Sequence, residues 1–305
     1  MTRLISMLSL LLLLGVMPFV AHAQEQDYGS LPLPELTQMA EAGDAEAQFH
    51  LGRRYYEGQG VPKSFPQAVN WYRKAAKQGN ATAQYNLGNM YAKGQGVSYD
   101  EQAFINWYRK AAEQGNADAQ YKLGDMYYWG WHVSQSFREA FNWYRKVAEQ
   151  GNADAQYDLG LMYDNGRGVS QDYKEAVNWY HKAAEQGNAN AQGNLGYMYA
   201  NGRGVSQDYE EAANWYRKAA EQGNAYGQNS LGTLYHSGHG MPKDIVLAYA
   251  LYSLAIAGGS KDAANNRNLI AKQMTGAQIE EGRAISVRWR PGQPLPTSSK
   301  TGGSR

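Results

Sequence analysis

The chain has no cysteine in 305 residues, which excludes a disulfide framework, thiol catalysis, cysteine-bearing zinc sites and lipid attachment through an N-terminal cysteine. Neither sign of charge prevails, with 29 Lys and Arg against 28 Asp and Glu. No strong field therefore points to nucleic acid or to an anionic membrane as partner. Proline is scarce at 9 residues while glycine is plentiful at 34, a balance that fits regular helices broken at fixed places better than disorder. After residue 23 no stretch is apolar enough to read as crossing a bilayer. What the chain does have is aromatic mass, 24 Tyr and 8 Trp, enough to fill a core.

The first 23 residues read as an address. Met1-Thr2-Arg3 gives a short positive start, Leu4 to Val20 is apolar, and Ala21-His22-Ala23 is a small-x-small cleavage site. This layout predicts a secretory signal peptide cut before Gln24. A retained anchor is the weaker reading, because the stretch contains Pro18 and is marginal in length for spanning. The mature chain is expected in the periplasm, with secretion as the alternative and no membrane segment left after cleavage.

An internal period decides the architecture. Trp71, Trp107, Trp143, Trp179 and Trp215 stand 36 residues apart, and two glycine columns, one through Gly52 and one through Gly79, keep the same step. Six units of 36 residues fill 44–259, so one repeat array replaces the two ordinary domains that length alone would allow. Within a unit, Asn80 is a natural N-cap, and Ala83, Leu87, Met90 and Tyr91 form one buried helical face. Gly88 lies mid-helix, where it costs roughly 1 kcal/mol relative to Ala, and its return in each unit predicts close backbone packing. Gly94-x-Gly96 breaks that helix. A second helix carries Ala68, Trp71, Tyr72, Ala75 and Ala76 on one face and ends at Gly79. A single helical pair cannot bury both faces, so the pairs must stack.

Units such as NADAQYDLGLMYDNGRGVSQDYKEAVNWYHKAAEQG, residues 152–187, resemble Sel-1-like repeats, relatives of the tetratricopeptide repeat with a longer, Gly-rich loop between helices. The resemblance implies an all-α, right-handed α-solenoid of six 36-residue helix-turn-helix repeats. Residues 24–43 are expected as linker and N-terminal cap, 260–290 as C-terminal capping helices, and 291–305 as a mobile tail rich in Pro, Gly, Ser and Thr. It further implies a scaffold that holds partner proteins in secretion, envelope regulation, adhesion or host contact. Some bacterial members are immunity proteins that neutralise phospholipase effectors, which makes an effector toxin the most specific partner expected and an envelope or secretion component the alternative. A cysteine-rich branch is linked to penicillin binding or hydrolysis, and this cysteine-free chain departs from it.

Enzyme chemistry has no evident seat. No G-x-S-x-G elbow, H-E-x-x-H helix or G-x-x-x-x-G-K loop appears. The Gly-x-Gly loops recur once per unit after helices, as turns do. His236, His239 and Asp244 could share a metal, but a fourth ligand is not evident. The reading is a non-catalytic protein with no cofactor and no metal.

Differences between units then point to a face. Columns through Thr82, Asn86, Asn89 and Lys93 vary, and their spacing puts them on one side of the first helix, opposite the apolar stripe. In tetratricopeptide-type stacking that side is concave. Asp125, Asp158, Leu161, Tyr197 and Tyr226 lie on it, with Trp129 as the largest departure. Trp129, Leu161, Tyr197 and Tyr226 are apolar groups at positions that stacking does not require, set in a polar rim. The third unit deviates most, reading Tyr128-Trp129-Gly130-Trp131-His132 where the fourth has Asp164-Asn165-Gly166-Arg167-Gly168. Partner contact and local repacking are both open for Trp131 and His132, with partner contact favoured for Trp129. By contrast, the Phe49, Tyr85, Tyr121, Tyr157 column reads as aromatic stacking between units. A homodimer through incompletely capped ends also stays open.

Overall fold

The computed structural model describes residues 27–295, so the expected signal peptide and residues 296–305 lie outside the described residues. Within them the chain forms fifteen helices and no strand. A short α1 (Leu33–Glu41) precedes six pairs of 13-residue helices: α2 (Ala45–Glu57) with α3 (Phe65–Lys77), α4 (Ala81–Lys93) with α5 (Glu101–Glu113), α6 (Ala117–Trp129) with α7 (Phe137–Glu149). The array continues with α8 (Ala153–Asn165) and α9 (Tyr173–Glu185), α10 (Ala189–Asn201) and α11 (Tyr209–Glu221), α12 (Ala225–Ser237) and α13 (Ile245–Ala257). Two further helices, α14 (Lys261–Ala271) and α15 (Gly276–Arg288), follow. From α1 to α14 each helix packs against the next in sequence, and α15 returns to pack on α13, the layout of an all-α solenoid.

Local chemistry sets the ends. The Asn80 side chain accepts a hydrogen bond from the Ala83 amide at 2.7 Å, and Asn116, Asn152, Asn188 and Asn224 repeat the cap. Second helices start on Ser64, Asp100, Ser136, Asp172, Asp208 or Asp244, each with an oxygen on the first-turn amides. First helices stop on a left-handed glycine such as Gly94, φ 62°. The glycine two residues further on has a different task. Gly168 has φ +72°, and a Cβ there would lie 2.2 Å from the Phe137 carbonyl oxygen of the preceding unit, so any side chain would force the loop off its neighbour.

The mid-helix glycines lock each pair. A Cβ at Gly160 would lie 2.6 Å from Tyr180 Cδ1, and one at Gly124 would lie 2.5 Å from Tyr144 Cε1. The tyrosine ring thus rests on bare backbone, and Tyr72 and Tyr180 are almost wholly buried. Between pairs runs a buried glutamine column. Gln120 Nε2 donates to the Ala112 carbonyl of the preceding unit at 2.9 Å, and its Oε1 accepts from Gln150 Nε2 at 2.8 Å. Gln48, Gln84, Gln156 and Gln192 do the same. At the end of the column Gln228 Oε1 has no hydrogen-bond partner among the described residues, because Gly258 stands where the donating glutamine would be.

The chain after α15 departs from expectation. Pro291 to Leu295, read as the start of a mobile tail, folds back on the fifth unit. The Gly292 amide donates to the Glu221 carbonyl at 2.7 Å, the Leu295 amide to Glu221 Oε1 at 3.1 Å, and Trp289 Nε1 to the Gln293 carbonyl at 3.0 Å. Leu295 adds its side chain to the cluster around Leu231 and Leu251. Composition alone hid these anchors.

Replacing Gly160 by Ala drives a methyl group into the Tyr180 ring and is expected to lower stability by about 1–3 kcal/mol. Gly276→Ala, at a helix start with open space around it, is the control and leaves stability unchanged or slightly raised. Urea denaturation of both variants checks the pair.

Candidate protein-binding site

First helices of neighbouring units are bonded to one another on the side that carries the variable columns. Tyr121 on α6 donates its hydroxyl to Asp158 Oδ2 on α8 at 2.6 Å, and Asn266 on α14 donates to Asn229 on α12 at 3.0 Å. The tyrosines that pack on the glycines point their hydroxyls to this same side. Tyr144 donates to Asp125 Oδ1 at 2.8 Å and Tyr108 to Asn89 at 2.7 Å. Packing and face are therefore built by the same residues.

Between α6, α7 and α8 these contacts enclose a groove of about 350 Å³, lined by Tyr121, Asp125, Tyr128, Trp129, Tyr144, Asp158 and Leu161. Four residues singled out from the sequence, Asp125, Trp129, Asp158 and Leu161, thus meet in one place. Trp131 joins them at the rim. Its ring stacks on Trp129 with centroids 5.9 Å apart and planes at 20°, and the two indoles are 55% and 58% exposed. Tyr128 meets Trp129 edge-on at 4.9 Å.

His132 does not join the groove. Its Nδ1 lies 3.0 Å from Glu101 Oε2, and its ring meets Phe104 edge-on at 5.1 Å. The cause lies one unit back. In the fourth, fifth and sixth units the residue between the two loop glycines sits over an aromatic ring of the preceding unit: Arg167 over Phe137, Arg203 over Tyr173, His239 over Tyr209. The second unit offers Glu101 there instead of a ring. Trp131 has nothing to lie on and turns outward to Trp129, while His132, at φ 62°, takes the carboxylate. Phe104, one turn along the helix, fills the vacated core space and is buried. Repacking explains His132, and the same repacking exposes the indole pair.

Tyr197 and Tyr226 lie elsewhere. Tyr197 packs partly buried between two core clusters, with the Arg203 guanidinium 5.5 Å from its ring. Tyr226 is 43% exposed, but its ring covers Gly193, where a Cβ would lie 3.0 Å from Tyr226 Cδ1, and it meets Tyr216 edge-on. It fills the space that the aromatic column leaves empty at Gly193, so stacking does use it. Sequence reasoning also missed Tyr121, which was assigned to stacking alone. Its signal was the acidic Asp158, 37 residues on, the offset that places two residues side by side on adjacent first helices.

The electrostatics of the groove follow from burial. Burial pushes the Asp158 carboxyl up to about 6 against the Tyr121 hydroxyl, which opposes the shift, while Asp125 and Asp154 add to it. Asp125 is raised by burial as well, opposed by the Tyr144 hydroxyl and by Lys122. The equivalent groove two units earlier differs in sign. It measures about 180 Å³ and is lined by Arg53, Tyr56, Glu57, Tyr72, Asn86, Asn89 and Lys93. Among the described residues no three His, Asp or Glu side chains converge as metal ligands, and His239 stacks on Tyr209 at 4.7 Å. No described helix is long and apolar enough to cross a membrane.

Comparison with known proteins adds a family. The Sel1 repeat model matches six consecutive stretches, 45–80, 81–116, 117–152, 153–188, 189–224 and 225–260. A solved Sel1 repeat protein from Oxalobacter formigenes is 34% identical, covers 75% of this chain and 97% of its own, and superposes with a TM-score of 0.59. The protective antigen c5321 of uropathogenic Escherichia coli is also 34% identical, covering 82% of this chain and 69% of its own at a TM-score of 0.38. A stretch of 47 residues is 45% identical to the secretory immunoglobulin A-binding protein EsiB of Escherichia coli O6:H1, which is 15% of this chain and 10% of that relative.

The Asp158 shift has a thermodynamic sign. The folded carboxyl holds its proton up to about pH 6, against 3.8 for the ordinary carboxyl. The native state therefore binds more protons between those values, and stability falls as pH rises through that window. Asp158→Asn keeps an acceptor for the Tyr121 hydroxyl without the charge. Its thermal midpoint should exceed the parent's at pH 7.5, by about 2–4 °C for each kcal/mol recovered, and match it near pH 4. Circular dichroism melts at both pH values decide; an unchanged gap would place the effect elsewhere.

Proposed function

Since the chain belongs to the Sel1 repeat family, we propose that it is an exported, non-catalytic protein-binding module that seats a partner along its first-helix face. The anchor is at the third and fourth units. The observation that carries this reading is the stacked, exposed pair of Trp129 and Trp131 beside a groove bearing Leu161 and two carboxylates. Large indoles left open at the rim of a concavity are costly to solvate, and they are the residue type on which interfaces concentrate binding energy. The specific form carried forward is an immunity protein that sequesters a lipid-degrading toxic effector in the periplasm. It rests on the family's association with that role and on the signal peptide read at residues 1–23.

Capture from periplasmic extract and culture supernatant, with residues 24–305 as bait and mass spectrometry as readout, tests both levels. A single lipase-like effector, inhibited at stoichiometric bait, supports immunity; an envelope or secretion assembly without enzyme inhibition supports the scaffold instead. In either case Trp129→Ala should weaken partner binding about 30-fold, the scale of a 2 kcal/mol hot spot. Thermal stability should stay within about 0.5 kcal/mol of the parent. Unchanged binding, or a large loss of stability, would contradict the assignment of the face.

A further inference from the structure

We infer that the groove between α6 and α8 receives a basic side chain, arginine or lysine, of the partner protein, laid along Trp129 with its cationic head between Asp125 and Asp158. The inference rests on the protein-binding reading above and names the chemistry of what is bound. Four aromatic side chains, Tyr121, Tyr128, Trp129 and Tyr144, wall the groove together with Leu161. Rings of this kind attract a cation through their faces, most strongly where water is excluded.

Charge decides between occupants. Tyr144 and Tyr121 each satisfy one carboxylate oxygen, Asp125 Oδ1 and Asp158 Oδ2. The other oxygen of each accepts no hydrogen bond from the described residues. Neither carboxylate takes part in an ion pair among the described residues. Lys122 acts on Asp125 only as a weak opposing charge. Arg167, the other cation nearby, is engaged with the Tyr128 hydroxyl and with the rings of Tyr128 and Phe137. Two half-buried carboxylates that repel one another are thus left for an incoming cation to pair.

The rest of the array shows what is missing here. On the second helices each tryptophan carries the lysine three residues on: Lys74 lies 3.8 Å from the Trp71 centroid, Lys146 4.1 Å from Trp143, and Lys182 3.8 Å from Trp179. Trp129 has His132 at that offset, turned away to Glu101. Among the described residues no cation lies over its face. The groove two units earlier is the counter-example, since Arg53 occupies the Asp125 column and pairs with Glu57 in the Trp129 column at 3.7 Å. That groove supplies its own cation and would repel a second one.

The test is an NMR titration of the tryptophan indole N–H signals of the mature chain with acetyl-Gly-Gly-Arg-Gly-Gly-amide, against the same peptide with Lys, with Glu, and against phosphocholine. The arginine and lysine peptides should shift the Trp129 indole. The Asp125→Asn, Asp158→Asn double variant should weaken that response about tenfold or more. The glutamate peptide should leave the signal in place. An absent response to arginine, an equal response to glutamate, an unaltered response in the double variant, or saturation by phosphocholine alone would each overturn the inference. The comparison of peptides on the parent chain stands even if the double variant does not fold. Loss of partner capture by Trp129→Ala with no response to arginine would remove the cation and leave the docking face. Retained capture by Trp129→Ala would remove the docking face and the inference with it.

Discussion

A tyrosine ring lying on a bare glycine holds each helical pair together, and much else follows from it. The ring reaches the backbone of the first helix because no Cβ is there, as at Gly124 under Tyr144 and Gly160 under Tyr180. That closeness sets the distance between the two helices of a unit. It also points the hydroxyl of the tyrosine past the helix to the far side, where it meets Asp125 in the third unit, Asp164 in the fourth and Asn89 in the second. One contact therefore fixes the core and decides which polar groups on the outer face are held in place. The mid-helix glycine loses roughly 1 kcal/mol of helix propensity relative to alanine, a loss offset by the burial of a whole aromatic ring.

Between units the glutamine column does the corresponding work. Each buried glutamine takes a carbonyl of the unit before and an amide of its own second helix, so neighbouring units are joined by a polar contact with a fixed register. Apolar stacking alone tolerates sliding; a buried amide that must find both partners does not, because leaving either unmet costs on the order of 1–3 kcal/mol. The last member of the column shows the limit of the repeat. Gln228 lacks its donor where Gly258 breaks the pattern, and there the chain changes from repeating units to α14, α15 and the strap that returns over Glu221.

The period, the helix ends and the close glycines could be read from the sequence because each rests on short-range chemistry repeated six times. Asn80 caps the helix it was expected to cap, and Gly88 meets Tyr108 as its mid-helix position required. What escaped depended on pairs one unit apart. Nothing local marks Gln120, and its partners Ala112 and Gln150 are assigned only once the units are stacked. Tyr121 and Asp158 likewise become neighbours through the stacking. The deviant loop makes sense only when Glu101 is seen to have removed the ring on which Trp131 would rest. The strap at 291–295 escaped for another reason: a composition of Pro, Gly and Gln says nothing about a backbone amide that finds Glu221.

In the proposed function one face of the array carries the partner. The absence of cysteine makes it directly measurable, since single cysteines can be introduced without competing thiols. Lys122→Cys and Asn165→Cys place a photoactivatable cross-linker on the exposed first-helix face, and Asn106→Cys and Asn178→Cys place it on exposed second-helix positions. With the captured partner bound, cross-links are expected from positions 122 and 165 and none from 106 and 178. Cross-links confined to the second-helix positions would contradict it.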